Sequence, residues 1–179
     1  MKDTHGFRVR AFCDTKGNDK MSNIIRLRPD DSSDIRLVRK SLIGLRECYP
    51  EFGKWYDEKI IPKLNSETRK IFLATHNSEF SGALILKDDG LEKKVCTLFV
   101  NPNNRFHHIG SDFLRIASEE LETYKLPITI SDEARPFFYN NLGFNFYTKE
   151  VKPNMYKEGM DEYLGYIMWH NPDNELKRR

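Results

Sequence analysis

The 179-residue sequence predicts a mixed α/β domain built on a mostly antiparallel sheet, and three observations carry that prediction. Runs rich in β-branched and aromatic residues at 71–76, 80–86 and 91–100 are separated by Asn77-Ser78-Glu79 and by Asp88-Asp89-Gly90, the pattern of a three-stranded meander. The third run passes through the turn at 101–104, with Pro102, into residues at helical spacing. After that helix, 126–130 reads as a further strand. A helical crossover of this length predicts that it runs parallel to 95–100.

The remaining elements follow in chain order. Residues 1–22 are polar and basic, without a sustained period, and read as a flexible extension. The first alternating strand is 24–28. The turn at 29–34 then offers several N-cap residues to a helix with Ile35, Val38, Leu42 and Leu45 on one face. Its arginines read as a solvated face. The stretch 47–62 is aromatic and weakly helical, broken by Pro50, Gly53 and Pro62. Its Tyr49, Phe52, Trp55 and Tyr56 suit a core. In the helix after 104, Ile109, Phe113, Ile116, Ala117, Leu121 and Tyr124 share one face. A short helix is expected after Glu133 through Leu142, with Gly143 as its C-terminal cap. Strands at 145–151 and 163–170, joined by a loop or short helical piece, complete the domain, and 171–179 is a polar tail.

Composition limits the function classes. A content of 39% hydrophobic and 12% aromatic residues suffices for one core, so a single domain over 23–170 is expected. The 29 basic residues against 27 acidic give a formal charge of +2, which leaves nucleic acid possible but not indicated and gives no reason for an acidic membrane partner. Cys13, Cys48 and Cys96 lack metal-ligand or disulfide-framework spacing. Neither an 18-residue apolar run nor a signal-peptide pattern is found, so a cytoplasmic protein, monomeric or homodimeric, is expected. His107 and His108 are adjacent, diverge at a helix start and have no third ligand at suitable spacing, so no metal site is expected.

The chemistry concentrates on the loop before the helix that carries Ile109 to Tyr124. The first turn of a helix carries N–H groups without intrahelical partners, and its dipole makes that end partly positive. A small residue such as Gly110 lets an anion approach the backbone, and Arg105 adds charge-assisted bonds. A phosphate or pyrophosphate is the ligand this pattern suits.

The segment Arg105, Phe106, His107, His108, Ile109, Gly110 and Ser111 resembles the acyl-CoA pyrophosphate loop of the GNAT N-acetyltransferases: Arg or Gln, two residues, Gly, one residue, Gly. Downstream, Phe138, Tyr139 and Gly143-Phe144 resemble the aromatic-Tyr-x-x-x-Gly-Phe signature of the same family, in the same order. The resemblance implies a GNAT-like fold: a central, mostly antiparallel twisted sheet of six to seven strands with one parallel pair, flanked by about four helices. It also implies that the parallel strands splay to admit the pantetheine arm.

The implied activity is acyl-CoA-dependent N-acyltransfer, with acetyl-CoA as cosubstrate and a primary amine of a small molecule or protein as acceptor. The implied roles are a proton for the leaving thiolate from Tyr139, carbonyl polarisation by backbone N–H groups near Leu98, Phe99 and Val100, and cofactor contacts from residues 105–111 and Asp132. Glu92 is the candidate base, two residues before the best-registered position, Lys94, with relay through water as the alternative. The sequence departs from the family where His108 replaces the loop's first Gly, Asp132 stands where many members have Asn, and Arg135 stands where Ala is common. A toxin-like acetylation of aminoacyl-tRNA and a non-catalytic CoA-sensing or partner-binding module remain the alternatives.

Overall fold

In the computed structural model, residues 8–9, 22–141 and 143–169 are described. Strand β1 (Arg8–Val9) lies within the segment read as an extension and pairs antiparallel with β2 (Asn23–Arg26). The rest of 1–21, Leu142, His170 at the end of the last expected strand and the tail at 171–179 lie outside the described residues. The order continues with α1 (Ser32–Ser41), α2 (Phe52–Trp55), β3 (Arg69–His76), β4 (Glu79–Asp88), β5 (Lys93–Val100), α3 (Ile109–Glu120), β6 (Lys125–Ser131), α4 (Arg135–Tyr139), β7 (Phe144–Pro153) and β8 (Asp161–Trp169).

The architecture is the expected mixed α/β, with the sheet divided in two. Strands β1 to β5 form one antiparallel sheet in sequence order, and β6, β8 and β7 form another, with β8 in the centre. Strands β5 and β6 touch without a ladder between them. They start at the same end of the fold: Lys93, first in β5, donates from Nζ to Leu121 O at 3.0 Å, where α3 ends and the chain turns toward β6. The expected parallel neighbours are therefore present, parted rather than hydrogen-bonded. On β5, Cys96 is an extra residue between the Ile85–Thr97 and Leu86–Val95 pairs, a bulge that strengthens local twist next to the divide.

Two apolar clusters sandwich the five-stranded sheet. On one side α3 buries Ile109, Phe113, Leu114, Ile116, Ala117 and Leu121 against Phe72, Leu84 and Leu86 and against Leu126, Ile128 and Ile130 of β6, so α3 joins the two sheets. Tyr124, expected on that face, lies past the helix and is exposed. On the other side Ile35 and Val38 of α1, with Leu42 at its C-cap, pack with Phe52, Tyr56 and Ile60 on Leu73, Ala83 and Ile85. The aromatic stretch is core at Phe52 and at Tyr56, whose hydroxyl donates to Ile35 O at 3.0 Å.

Helix α4 ends at Tyr139, short of the expected Leu142, and Gly143 is not its left-handed cap. Instead the Asn141 side chain accepts the Gly143 N–H at 2.8 Å, a local turn that competes with further helix.

Candidate active site

Where β5 and β6 part, three features converge: the loop into α3, the open edge of β5, and α4. Asn101 starts the loop by accepting the Asn103 N–H at 3.1 Å over the turn Pro102–Asn104. Phe106 and His108 then take left-handed backbone conformations, at φ 68° and 59°. The slot where the family carries Gly is thus one that glycine enters freely, while an L-residue there costs about 1–2 kcal/mol. His108 is the N-cap of α3 but makes no side-chain capping bond. The first intrahelical bond runs from Asp112 N–H to His108 O at 2.9 Å, so the N–H groups of Ile109, Gly110 and Ser111 precede the ladder. They form the positive end of a twelve-residue helix.

Side chains around these groups have distinct jobs. Ile109 is buried, so only its backbone is offered. Ser111 Oγ accepts from Asn141 Nδ2 at 3.5 Å. The His107 ring stacks on His76 with centroids 5.0 Å apart. Arg105 is exposed, and Phe106 is fully exposed at 100%. Gly110 answers a need other than phosphate approach, because a Cβ there would lie 3.1 Å from the Phe137 ring. Its size lets α4 sit on the first turn of α3 and brings Tyr139, two residues beyond Phe137, to the same corner.

Tyr139 is half-exposed at 48%, its hydroxyl 2.6 Å from Thr148 Oγ1 on β7 and its ring edge-on to Phe146 at 5.6 Å. It lines an open cleft of about 300 Å³ with Asp132, Arg135, Pro136 and Asn140. Asp132, however, is occupied. Its carboxylate accepts from Asp161 N–H at 3.0 Å, Tyr163 hydroxyl at 2.8 Å and Arg135 Nη1 at 3.5 Å. The Asp161 bond foremost, then those from Tyr163 and Arg135, hold it below the usual carboxylate range. It fastens the end of β6 to the start of β8. Arg135, the other departure, lies over the rings of Tyr163 at 4.7 Å and Tyr139 at 5.5 Å.

On β5, Leu98 and Val100 pack on the α3 side and Phe99 on the α1 side. Because β5 has a ladder partner on one edge only, alternate peptide groups on its other edge face the divide.

Glu92 is not brought to this corner. It lies in the β4–β5 turn, at the far end of an eight-residue strand, about 25 Å from the loop at the usual rise per residue. Its carboxylate is held by Lys87 Nζ at 2.5 Å and Lys94 Nζ at 3.0 Å. Those bonds lower its proton affinity, Lys87 contributing most, which is the wrong direction for a base. Reasoning from the strand alone missed this because Lys87, the stronger of the two partners, reaches Glu92 from across the turn, whereas Lys94 is only two residues away.

Two contacts had no local signature. Thr148 grips Tyr139, and Glu162 on β8 accepts from the Tyr49 hydroxyl at 2.6 Å across 113 residues of sequence. Among the described residues, no group of three or more His, Cys, Asp or Glu is arranged to hold a metal ion, and no helix is long and apolar enough to cross a membrane.

Comparison with curated proteins finds no match. The solved structures to which the chain is similar include three proteins described as acetyltransferases. One, placed in the GNAT family, comes from Desulfovibrio desulfuricans (TM-score 0.60, 16% identity, 82% of this chain and 98% of that one). Another, also of the GNAT family, is from Bacillus cereus (0.59, 16%, 84% and 99%). The third is the PaiA N-acetyltransferase of Thermoplasma acidophilum, solved in complex with coenzyme A (0.56, 18%, 83% and 99%). At these identities the likeness is one of fold. A family model described as an acetyltransferase (GNAT) domain matches residues 47–161, well over half of the sequence and every element of the corner just described, and the chain belongs to the GNAT acetyltransferase family.

Proposed function

We propose that this chain is an acyl-CoA-dependent N-acyltransferase that moves the acetyl group of acetyl-CoA to a primary amine of a small molecule or protein by direct attack. The observation that carries this reading is the meeting of the uncapped N-terminus of α3, the unpaired edge of β5 and the Tyr139 hydroxyl at one divide in the sheet. The N–H groups of Ile109, Gly110 and Ser111, with Arg105, suit a pyrophosphate. The free edge at Leu98, Phe99 and Val100 suits the amide-bearing arm and the thioester carbonyl. Phe106, His107 and His108 line the approach. Tyr139 is the donor for the thiolate that leaves. The coenzyme A complex of the Thermoplasma structure supports the choice of cosubstrate.

The test is calorimetric titration of acetyl-CoA into the protein and its Arg105→Ala variant, followed by thiol release with an amine panel. Binding on the order of micromolar is expected, weakened about tenfold or more by the variant, since a charge-assisted bond contributes about 1.5–3 kcal/mol. A folded protein that does not bind acetyl-CoA overturns the reading in favour of a non-catalytic module.

A further inference from the structure

We propose that Glu162 is the acceptor site of this enzyme, a carboxylate that binds the ammonium group of a cationic primary amine and takes its proton, with Tyr49 as its positioning residue. The inference rests on the acetyltransfer reading above and narrows its acceptor to amines that are charged in solution.

The geometry of the carboxylate is specific. Tyr49 donates to Glu162 Oε1 at 2.6 Å, and Asn154 Nδ2 donates to the same oxygen at 2.9 Å. The Asn154 amide is itself fixed, its Oδ1 accepting the N–H groups of Tyr156 and Lys157 at 2.8 Å each, which orients the NH₂ toward Glu162. Among the described residues, no donor reaches Oε2 and no cation pairs with Glu162. Lys152, its cross-strand neighbour on β7, turns to Glu150 at 3.3 Å. One oxygen is thus held, and among the described residues the other carries no donor and no paired cation.

The position suits an acceptor. Glu162 pairs in register with Ser131, the last residue of β6, so it lies at the end of the divide where the α3 loop also lies. Tyr163, Ile167 and Trp169 of β8 pack toward α3, and the strand's alternation turns Glu162 to the opposite face. Tyr49 comes from the helical layer on the five-stranded sheet, so the Tyr49–Glu162 bond spans the two sheets. Burial, and then the bond to Glu162, raises the Tyr49 phenol above its usual range, so it remains a donor at neutral pH.

The proton balance closes with groups already named. The ammonium gives one proton to Glu162, and its lone pair forms the C–N bond to the thioester carbonyl. The C–S bond breaks with its electron pair going to sulfur, which takes the Tyr139 proton. The amide nitrogen then returns its extra proton to the Tyr139 phenolate, and Glu162 releases its own to solvent.

The experiment measures thiol release from acetyl-CoA with 1,4-diaminobutane and other cationic amines, and with methoxyamine, which is uncharged at neutral pH. It compares wild type, Glu162→Gln and Tyr49→Phe. Cationic amines should be the preferred acceptors. Glu162→Gln should lower their kcat/KM at least about a hundredfold and abolish the acidic limb of its pH profile, while changing the methoxyamine rate little. Tyr49→Phe, which removes one bond to the carboxylate, should raise the KM for cationic amines about tenfold with a smaller change in kcat and little change in the methoxyamine rate. Equal losses for charged and uncharged amines, a retained acidic limb in Glu162→Gln, or turnover of uncharged amines only would overturn the inference. Failure of acetyl-CoA to bind would indict the underlying reading instead.

Discussion

Replacing Tyr139 by Phe separates catalysis from stability by magnitude. The variant keeps the ring, hence its edge-on contact with Phe146 at 5.6 Å, and removes only the hydroxyl that meets Thr148 Oγ1 at 2.6 Å. With the residue 48% exposed, that bond competes with water and is worth about 0.5–1 kcal/mol at most. In a domain of this size such a loss shifts Tm by about 1–4 °C. A proton donor in the transition state contributes at least about a hundredfold, or roughly 2.7 kcal/mol of barrier. Thiol release at saturating acetyl-CoA, alongside calorimetric affinity for CoA, should show kcat falling by that factor while Kd holds. Thr148→Val, which leaves the phenol without its partner, should cost less, about tenfold. A Tyr139→Phe enzyme within about threefold of wild-type kcat would refute the assignment and make this tyrosine a packing residue.

The other predictions test individual contacts. Gly165→Ala places a Cβ at 2.2 Å from Tyr147 O and 2.9 Å from the Phe146 ring, in a central strand that cannot retreat. A loss of about 3 kcal/mol, or roughly 6–12 °C in Tm, is expected by calorimetry, and a shift under about 2 °C would contradict the packing. Glu92→Gln should leave kcat/KM within about twofold, because its carboxylate serves Lys87 and Lys94; a large loss would restore it as a base. His108→Gly should hold stability within about 1 kcal/mol, relief of the left-handed strain offsetting the entropy of glycine, and should tighten CoA binding. Weaker binding would show that the imidazole itself contacts the ligand. Asp132, held below its unfolded pKa, stabilises the fold above the ordinary carboxylate range, and this contribution disappears as pH falls through the folded value. Denaturant midpoints should therefore drop less in Asp132→Asn than in wild type between neutral pH and about pH 3.

What the sequence made legible was periodic or local. The spacing of Ile35, Val38 and Leu42 and of Ile109, Phe113 and Ile116 marks the buried faces of α1 and α3, and alternation marks Leu126, Ile128 and Ile130 in β6. The strand–loop–helix motif pointed to the corner proposed as the site. Features that depend on distant partners were hidden. Nothing near Asp132 announces that residues 161 and 163 occupy its oxygens, nor does the strand pattern announce that Lys87 holds Glu92 from across a turn. The size of Gly110 was readable, but its cause, the Phe137 ring, required the tertiary fold. Helix α4 stopped early because an Asn side chain competed for the backbone, an outcome that propensity alone does not resolve.

The division of the sheet also bears on how the molecule comes apart. Each half closes its ladders within its own stretch of chain, up to Val100 in one and from Lys125 onward in the other, and α3 with a few side-chain contacts such as Tyr49–Glu162 seams them. Such a build favours opening by halves, each a foldon with its own free energy, ahead of global unfolding. Any molecule lodged in the seam acts as a rivet: it raises the free energy of parting by RT ln(1 + [L]/Kd) and merges two transitions into one. Amide hydrogen exchange along β7, the strand of the second sheet farthest from the divide, followed as acetyl-CoA is added, would therefore register occupancy of the seam at a distance from it.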